Sequence, residues 1–176
     1  MKDWFGKYFL RKEMQKIRRQ SAVVNFQEAK SIGILYAAGT DEEQDLLKKY
    51  AQYLKEERKT YYFLGYVDRK RVPEHLKEAI GNTYFSKADL NWHMKPVGGS
   101  VRNFLSQDFD VLIDLSVREY IPLLYICALS KAKFRIGRMG SEWNGLYDMM
   151  ISVEPETEMK NLFKQIDHYL NIIQSK

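Results

Sequence analysis

The sequence predicts an α/β protein with a single Rossmann-like domain, in which helices cover both faces of an open, mostly parallel sheet. Short apolar runs rich in β-branched and aromatic residues alternate with helical patterns, which is typical of parallel strand pairing. The length of 176 residues accommodates one domain and a short appendage. Apolar residues make up 45% of the chain and charged residues 29%, as in ordinary globular proteins. We predict a basic aromatic N-terminal helix (1–20), a linker (21–30) and the α/β domain (31–176).

The first half of the domain shows three strand patterns and two helix patterns. Residues 32–36 form a short apolar run that predicts a buried strand. Thr40 and Glu43 have the spacing of a capping box, which opens a helix that fades near Glu57. Strands at 60–64 and 83–86 follow, and Pro73 indicates a short helix between them.

The second half repeats this alternation. A helix over 101–108 precedes the strongest strand pattern, at 109–115. Ser116 and Glu119 have the spacing of a second capping box, which predicts that a buried helix starts there. Later patterns predict strands at 133–137 and 147–153 and a final helix introduced by Pro155.

The positive charge is concentrated at the N-terminus. Residues 1–20 contain seven Lys/Arg and two Asp/Glu, whereas the other 156 residues contain 21 of each, so the whole excess of +5 belongs to this segment. A nucleic-acid-binding groove across the domain is therefore disfavoured.

The same segment holds a cluster of large side chains. On a helix Trp4, Phe5, Tyr8 and Phe9 gather on one side, and Leu10, Met14 and Ile17 lie nearly opposite. We predict that this helix docks on an acidic protein partner or an anionic membrane surface. The alternative is that its rings pack on its own domain while its cations face water. The candidate docking residues are Trp4, Phe5, Lys7, Tyr8, Phe9, Arg11, Lys12, Arg18 and Arg19.

Two loops are candidate anion sites. The first joins glycines to a hydroxyl and two cations, in the set Lys95, Gly98, Gly99, Ser100 and Arg102. Ser116 and Arg118 form the second, at the end of the strongest strand, where open parallel sheets bind ligands. The alternatives are an ordinary glycine-rich loop before a helix and a helix-capping serine.

Other polar and aromatic residues admit both structural and functional interpretations. Trp92 and His93 could stack on a small ligand or close the edge of the core. One of Asp110 and Asp114 could be buried and paired with Arg135.

The cysteine and histidine content and the length of the apolar runs exclude several classes of site. One cysteine, Cys127, in an apolar run predicts core packing, and three histidines without common spacing do not indicate a metal site. We predict no cofactor and no catalytic residue. The apolar runs are too short for a membrane span, so we expect a cytoplasmic protein, peripherally associated with a membrane if that is what the N-terminus binds.

Two resemblances refine the fold. The strand block 109–116, the buried helix after it and the strand at 134–137 resemble the N-terminal domain of bacterial lipopolysaccharide heptosyltransferases over about thirty residues. This resemblance implies a Rossmann-like fold. Heptosyltransferases close two such domains over a nucleotide-sugar, whereas this chain has the length of one. The same runs, with 147–151, make the whole chain similar to a family of short single-domain proteins of unknown function from Bacteroidota.

Two hypotheses about function follow. The first is a non-catalytic binding module that acts through its basic aromatic N-terminus. The second is a glycosyltransferase-like enzyme, or a nucleotide- or sugar-binding remnant of one, that uses the loops at the carboxyl ends of the strands. Association with RNA or a ribosome is a further alternative.

Overall fold

The computed structural model describes residues 2–77, 82–140, 143, 145–154 and 156–174. Within these residues six strands form one sheet in the order β3-β2-β1-β4-β5-β6, and every neighbouring pair is parallel. The predicted Rossmann-like α/β fold is confirmed. In chain order the elements are α1 (Lys2–Lys16), β1 (Ser31–Ala37), α2 (Asp41–Glu56), β2 (Thr60–Val67), α3 (Glu74–Lys77), β3 (Asn82–Ser86), α4 (Gly99–Leu105), β4 (Val111–Asp114), α5 (Ile121–Leu129), β5 (Phe134–Arg138), β6 (Met149–Ile151) and α6 (Met159–Ile172).

The centre of the sheet is where the strand order reverses. From β1 the chain adds β2 and β3 on one side, and it then crosses back to place β4 on the other side of β1. Helices therefore cover both faces: α1, α4 and α5 contribute to one apolar cluster, and α2 and α6 contribute to the other. In open parallel sheets such a reversal leaves a crevice outside the carboxyl ends of the central strands.

The predicted start of α2 is confirmed. The hydroxyl of Thr40 accepts from the backbone N–H of Glu43 at 3.3 Å, and the Glu43 carboxylate accepts from the N–H of Thr40 at 2.9 Å. This reciprocal pair satisfies two of the backbone donors that a helix leaves open at its first turn.

The predicted start of α5 is wrong. This helix begins at Ile121, with Tyr120 in the N-cap position and Pro122 in its first turn. The backbone N–H of Ser116 donates instead to the carboxylate of Asp114 at 2.9 Å, so residues 116–120 turn away from β4 before helix starts. The capping-box pattern gave a wrong prediction because the carboxylate of Asp114 accepts the hydrogen bond from the backbone N–H of Ser116 that Glu119 would accept in a capping box.

Two other expectations concern the ends of the chain. The N-terminal helix ends at Lys16, so residues 17–20 follow it without helical structure. The final helix begins at Met159, and Pro155, which was expected to introduce it, lies outside the described residues.

Helix α1 packs against α5. Leu10 is fully buried in the core, and the α5 hydroxyl of Tyr125 donates to the carbonyl of Gly6 at 3.2 Å. A Cβ added at Gly6 would lie 3.1 Å from the Ile121 side chain and 3.3 Å from the carbonyl of His93, so glycine permits this close approach. The N-terminal segment is thus seated on its own domain along one side.

Candidate functional site

An aromatic surface lies where α1 meets the turn at residues 91–94. We call Trp4, Phe5, Tyr8, Phe9 and Trp92 the aromatic surface. The ring centroids of Trp4 and Tyr8 are 5.8 Å apart in a stacked arrangement, and those of Trp4 and Phe5 are 5.1 Å apart. Trp92 lies 6.1 Å from Phe5 and 5.2 Å from Phe9. The five rings therefore form one continuous cluster, within the separations at which aromatic rings interact.

Most of these rings are open to solvent. Trp4 is 65% exposed and Trp92 is 64% exposed, and Phe5 and Tyr8 are also exposed. Single exposed apolar residues are common, whereas a contiguous exposed patch marks an interaction surface. The alternative that the rings pack on the domain applies to Phe9, which packs against the core, but not to Trp4 and Tyr8, which are exposed on the side of the helix opposite Leu10. Docking on a partner or a membrane stays a prediction.

Cations continue this outward side of α1. Trp4, Tyr8, Lys12 and Lys16 recur every four residues, so they follow one another along one side of the helix, and all four are exposed. The Lys12 ammonium lies 4.7 Å from the centroid of the Tyr8 ring, a cation–π contact. Arg18, just beyond the helix, is exposed as well.

The other candidate cations of the segment hold α1 and the residues after it to the domain. Lys7 forms an ion pair with Glu119 at 2.8 Å, and the Arg11 guanidinium lies 5.6 Å from the centroid of the Trp143 ring. Arg19 pairs with Asp148 at 2.6 Å and donates to the carbonyls of Ala132 and Lys133. The predicted docking cations thus fall into two groups. Lys12 and Arg18 face outward, whereas Lys7, Arg11 and Arg19 contact the domain.

The turn that carries Trp92 is fixed by its neighbours. The Asn91 side chain and His93 Nε2 are 2.8 Å apart, and His93 Nδ1 lies 3.2 Å from the hydroxyl of Tyr125. Burial lowers the pKa of His93, and the charge of Lys95 acts in the same direction. The structural interpretation, in which Trp92 closes the edge of the core, is wrong, because its side chain is exposed. The sequence marked Trp92 as notable, but its contact with α1 spans more than eighty residues and depends on the tertiary fold.

The cations of the predicted loop between Lys95 and Arg102 contact α1 and the loop itself. Lys95 pairs with Glu13 of α1 at 3.5 Å, and the Arg102 guanidinium donates to the carbonyl of Val97 at 2.7 Å. Gly98 is the N-cap of α4 and Gly99 is its first residue, with Ser100 in its first turn. Both cations of the loop therefore already have partners, in α1 or in the loop itself. An anion site at this loop stays a prediction.

A small cavity opens at the carboxyl ends of β4 and β5. Its volume for water-sized atoms is about 30 Å³. Ser116 and Arg118 line it together, as the sequence predicted for a ligand at this edge, and the structure adds Arg138, Trp143 and Tyr147. The full lining is Asp114, Ser116, Arg118, Glu119, Tyr120, Leu124, Arg138, Gly140, Trp143, Tyr147 and Met150.

A hydrogen-bonded cluster centred on Asp114 lies beside this cavity. The hydroxyl of Tyr147 donates to Asp114 Oδ2 at 2.6 Å, and the thiol of Cys127 lies 3.8 Å from the same oxygen. Burial raises the pKa of Asp114, against the hydrogen bonds that favour its charged form, and it raises the pKa values of Cys127 and Tyr147. Cys127 is fully buried, as its apolar run predicts.

The predicted pairing of Arg135 with an aspartate of the neighbouring strand is wrong. The buried Arg135 guanidinium donates to the carbonyls of Ala128, Ser130 and Leu146. Asp110 accepts from Lys133 at 2.7 Å instead. The difference arises because Arg135 turns toward the end of α5, where the last turn of a helix offers open carbonyl groups.

Comparison with known proteins places the chain in a family. The family model described as "Family of unknown function (DUF6913)" matches residues 2–173. Neither the curated proteins nor the solved structures contain a match to the chain. Among the described helices, none has the length and apolar composition required to cross a membrane.

Proposed function

We propose a function for this chain, which belongs to the family of unknown function DUF6913: it is a binding module that docks on the surface of an anionic membrane through its aromatic surface. The observation that carries the proposal is the continuous, exposed ring cluster of α1 and Trp92. Tryptophan and tyrosine favour the boundary between headgroups and acyl chains, because their rings are apolar and their N–H or O–H groups stay hydrated.

The charge next to these rings favours an anionic surface. Lys12 and Lys16 lie on the same side of α1 as Trp4 and Tyr8, and the first twenty residues carry the whole net charge of the chain. Each cation near an anionic bilayer contributes roughly 1 kcal/mol, and interfacial rings contribute through the apolar area they bury. Rings on the outer side of a helix suit a deformable bilayer, into which they can insert without a preformed pocket.

The test is co-sedimentation with vesicles of phosphatidylcholine alone and of phosphatidylcholine with 30 to 40% phosphatidylglycerol. We expect binding to the anionic vesicles and much weaker binding to the neutral ones. The double variant Trp4→Ala/Trp92→Ala should reduce the partition coefficient at least about tenfold, because it removes on the order of 100 Å² of apolar area that the bilayer would cover.

The matched control is Tyr169→Ala, which removes a similarly exposed ring from α6, among the helices of the opposite face of the sheet. It should leave vesicle binding unchanged. Both variants should retain the wild-type melting temperature within about 2 °C, since exposed side chains contribute little to stability. Equal binding of the wild type and the double variant would contradict the proposal.

Other partners are distinguishable in the same design. An acidic protein or an RNA would bind the chain in the absence of lipid, whereas a membrane-docking module would not, and RNA binding would weaken steeply with salt. The glycosyltransferase-like alternative predicts that nucleotides or nucleotide-sugars raise the melting temperature, because a ligand that binds only the folded state stabilises it. That alternative and the heptosyltransferase resemblance stay predictions.

A further inference from the structure

We propose that the cavity at the carboxyl ends of β4 and β5 binds the phosphoryl group of a phosphate monoester, with Ser116, Arg118 and Arg138 as its ligands. This site is separate from the aromatic surface and does not depend on membrane docking. It lies at the edge of the sheet where open parallel folds hold ligands, one strand from the reversal of strand order.

Ser116 supplies the first argument. Its hydroxyl is buried and meets the geometry of a hydrogen bond with no described residue, although it acts on the pKa of the Asp114 carboxylate in the direction that favours its charged form; the residue as a whole is only 6% exposed. Buried polar groups are nearly always hydrogen-bonded, so an unpartnered hydroxyl that lines a cavity indicates that something in the cavity completes it. The hydroxyl is available because Ser116 does not cap α5, which begins five residues later.

The charges around the cavity favour an anion. The lining includes two arginines, Arg118 and Arg138, and guanidinium groups match the geometry of oxyanions. Of the two lining carboxylates, Glu119 is neutralised by Lys7 at 2.8 Å and accepts from the indole of Trp143 at 2.8 Å. Asp114, the other one, is already engaged by Tyr147 and by the backbone N–H of Ser116.

The size of the cavity selects the group. A volume of about 30 Å³ holds two or three atoms of the size of a water oxygen. The terminal oxygens of a phosphoryl group fit this space, whereas a sugar ring or a base does not. The rest of a phosphate monoester would therefore lie outside the mouth of the cavity.

The test follows backbone amide shifts by NMR while inorganic phosphate or methyl phosphate is added, at an ionic strength held constant with chloride. We expect saturable shifts at residues 116–118 and 138–140 with both phosphates, and no saturable shift with acetate. Arg138→Gln and Arg118→Gln should each weaken binding about tenfold. Arg118 is exposed, so its variant tests the site even if Arg138→Gln does not fold.

Ser116→Ala separates a ligand role from a structural one. It should weaken phosphate binding several-fold, and without phosphate its melting temperature should equal or exceed that of the wild type, because an unpartnered buried hydroxyl is removed. The control Arg71→Gln, an exposed cation on the β2–α3 loop, should bind phosphate like the wild type. No saturable shift up to 20 mM phosphate, equal binding by all variants, or acetate binding as tight as phosphate would each overturn the proposal.

Discussion

Asp110 and Asp114 lie four residues apart, yet their pKa values shift in opposite directions. Burial raises the pKa of Asp114 above its ordinary value of 3.8. For Asp110 burial acts in the same direction, but hydrogen bonds from Lys133 and from the backbone N–H groups of Lys30 and Ser31 outweigh it, and its pKa is lowered. The number and charge of the donors, and not depth alone, decide the sign.

This difference predicts how stability changes with pH. As the pH rises above 3.8, Asp114 ionises in the unfolded chain before it ionises in the folded protein, so its contribution to the free energy of unfolding falls. Asp114→Asn lacks this effect. The stability difference between wild type and variant, from urea unfolding at pH 2 to 8, should therefore shrink as the pH rises above about 4.

Asp110→Asn is the matched control, with the opposite sign. The lowered pKa of Asp110 stabilises the fold above pH 3.8, and this contribution is lost as the pH falls through the folded pKa. The advantage of wild type over Asp110→Asn should thus be complete at neutral pH and shrink below about pH 4. Parallel pH profiles for the two variants would contradict the assignment.

At the scale of elements, α1 has two sides with different roles. Gly6 and Leu10 seat it on α5, and Trp4 and Tyr8 face outward. Deleting the segment would expose the apolar surface of α5 and mix loss of folding with loss of docking. Point variants on one side of the helix avoid this confusion.

Leu10→Ala should lower the free energy of unfolding by about 3 kcal/mol, because a fully buried leucine leaves a cavity when truncated. Trp4→Ala, on the exposed side, should change it by less than about 0.5 kcal/mol. Urea unfolding measures both. If Leu10→Ala were as stable as wild type and the α1 amides exchanged with solvent at random-coil rates, the seating of α1 would be wrong.

Gly137 of β5 leaves the space that the Tyr147 ring occupies. A Cβ at Gly137 would lie 2.5 Å from the Tyr147 ring. This close approach lets the Tyr147 hydroxyl reach Asp114 beside the cavity. The Asp114 cluster thus depends on a residue of the neighbouring strand that carries no side chain.

At the scale of the whole molecule, charge is divided unevenly between the N-terminal segment and the domain. The triple variant Lys12→Gln/Lys16→Gln/Arg18→Gln should lower affinity for anionic vesicles by roughly 2 to 3 kcal/mol and leave binding to neutral vesicles unchanged. Raising the salt concentration should weaken wild-type binding and have little effect on this variant.

The control for charge is Lys48→Gln/Lys49→Gln/Lys55→Gln, which removes three exposed cations from α2, on the other face of the sheet. It changes the net charge equally but leaves the aromatic surface untouched. Affinity that falls equally for both triple variants would show that net charge alone attracts the vesicles and that α1 does not orient the protein.

The sequence by itself determined the class of fold and the alternation of elements. Apolar runs such as 32–36 and the capping pair of Thr40 and Glu43 are local signals, because hydrophobic periodicity and helix capping act over a few residues. The same local physics located the surplus cations and the rings of α1, and it singled out Ser116 and Arg118 at a strand end.

The tertiary structure alone decided which of these residues meet. Trp92 joins the rings of α1, Arg138 joins Arg118, and Tyr147 joins Asp114, each across a separation that no local pattern encodes. It also decided which cations face outward. Lys7 and Arg19 form ion pairs with acidic residues far along the chain, whereas Lys12 contacts the Tyr8 ring on its own helix. The physical reason is that burial and charge pairing depend on the final packing of distant segments, whereas propensity and periodicity depend on neighbours in sequence.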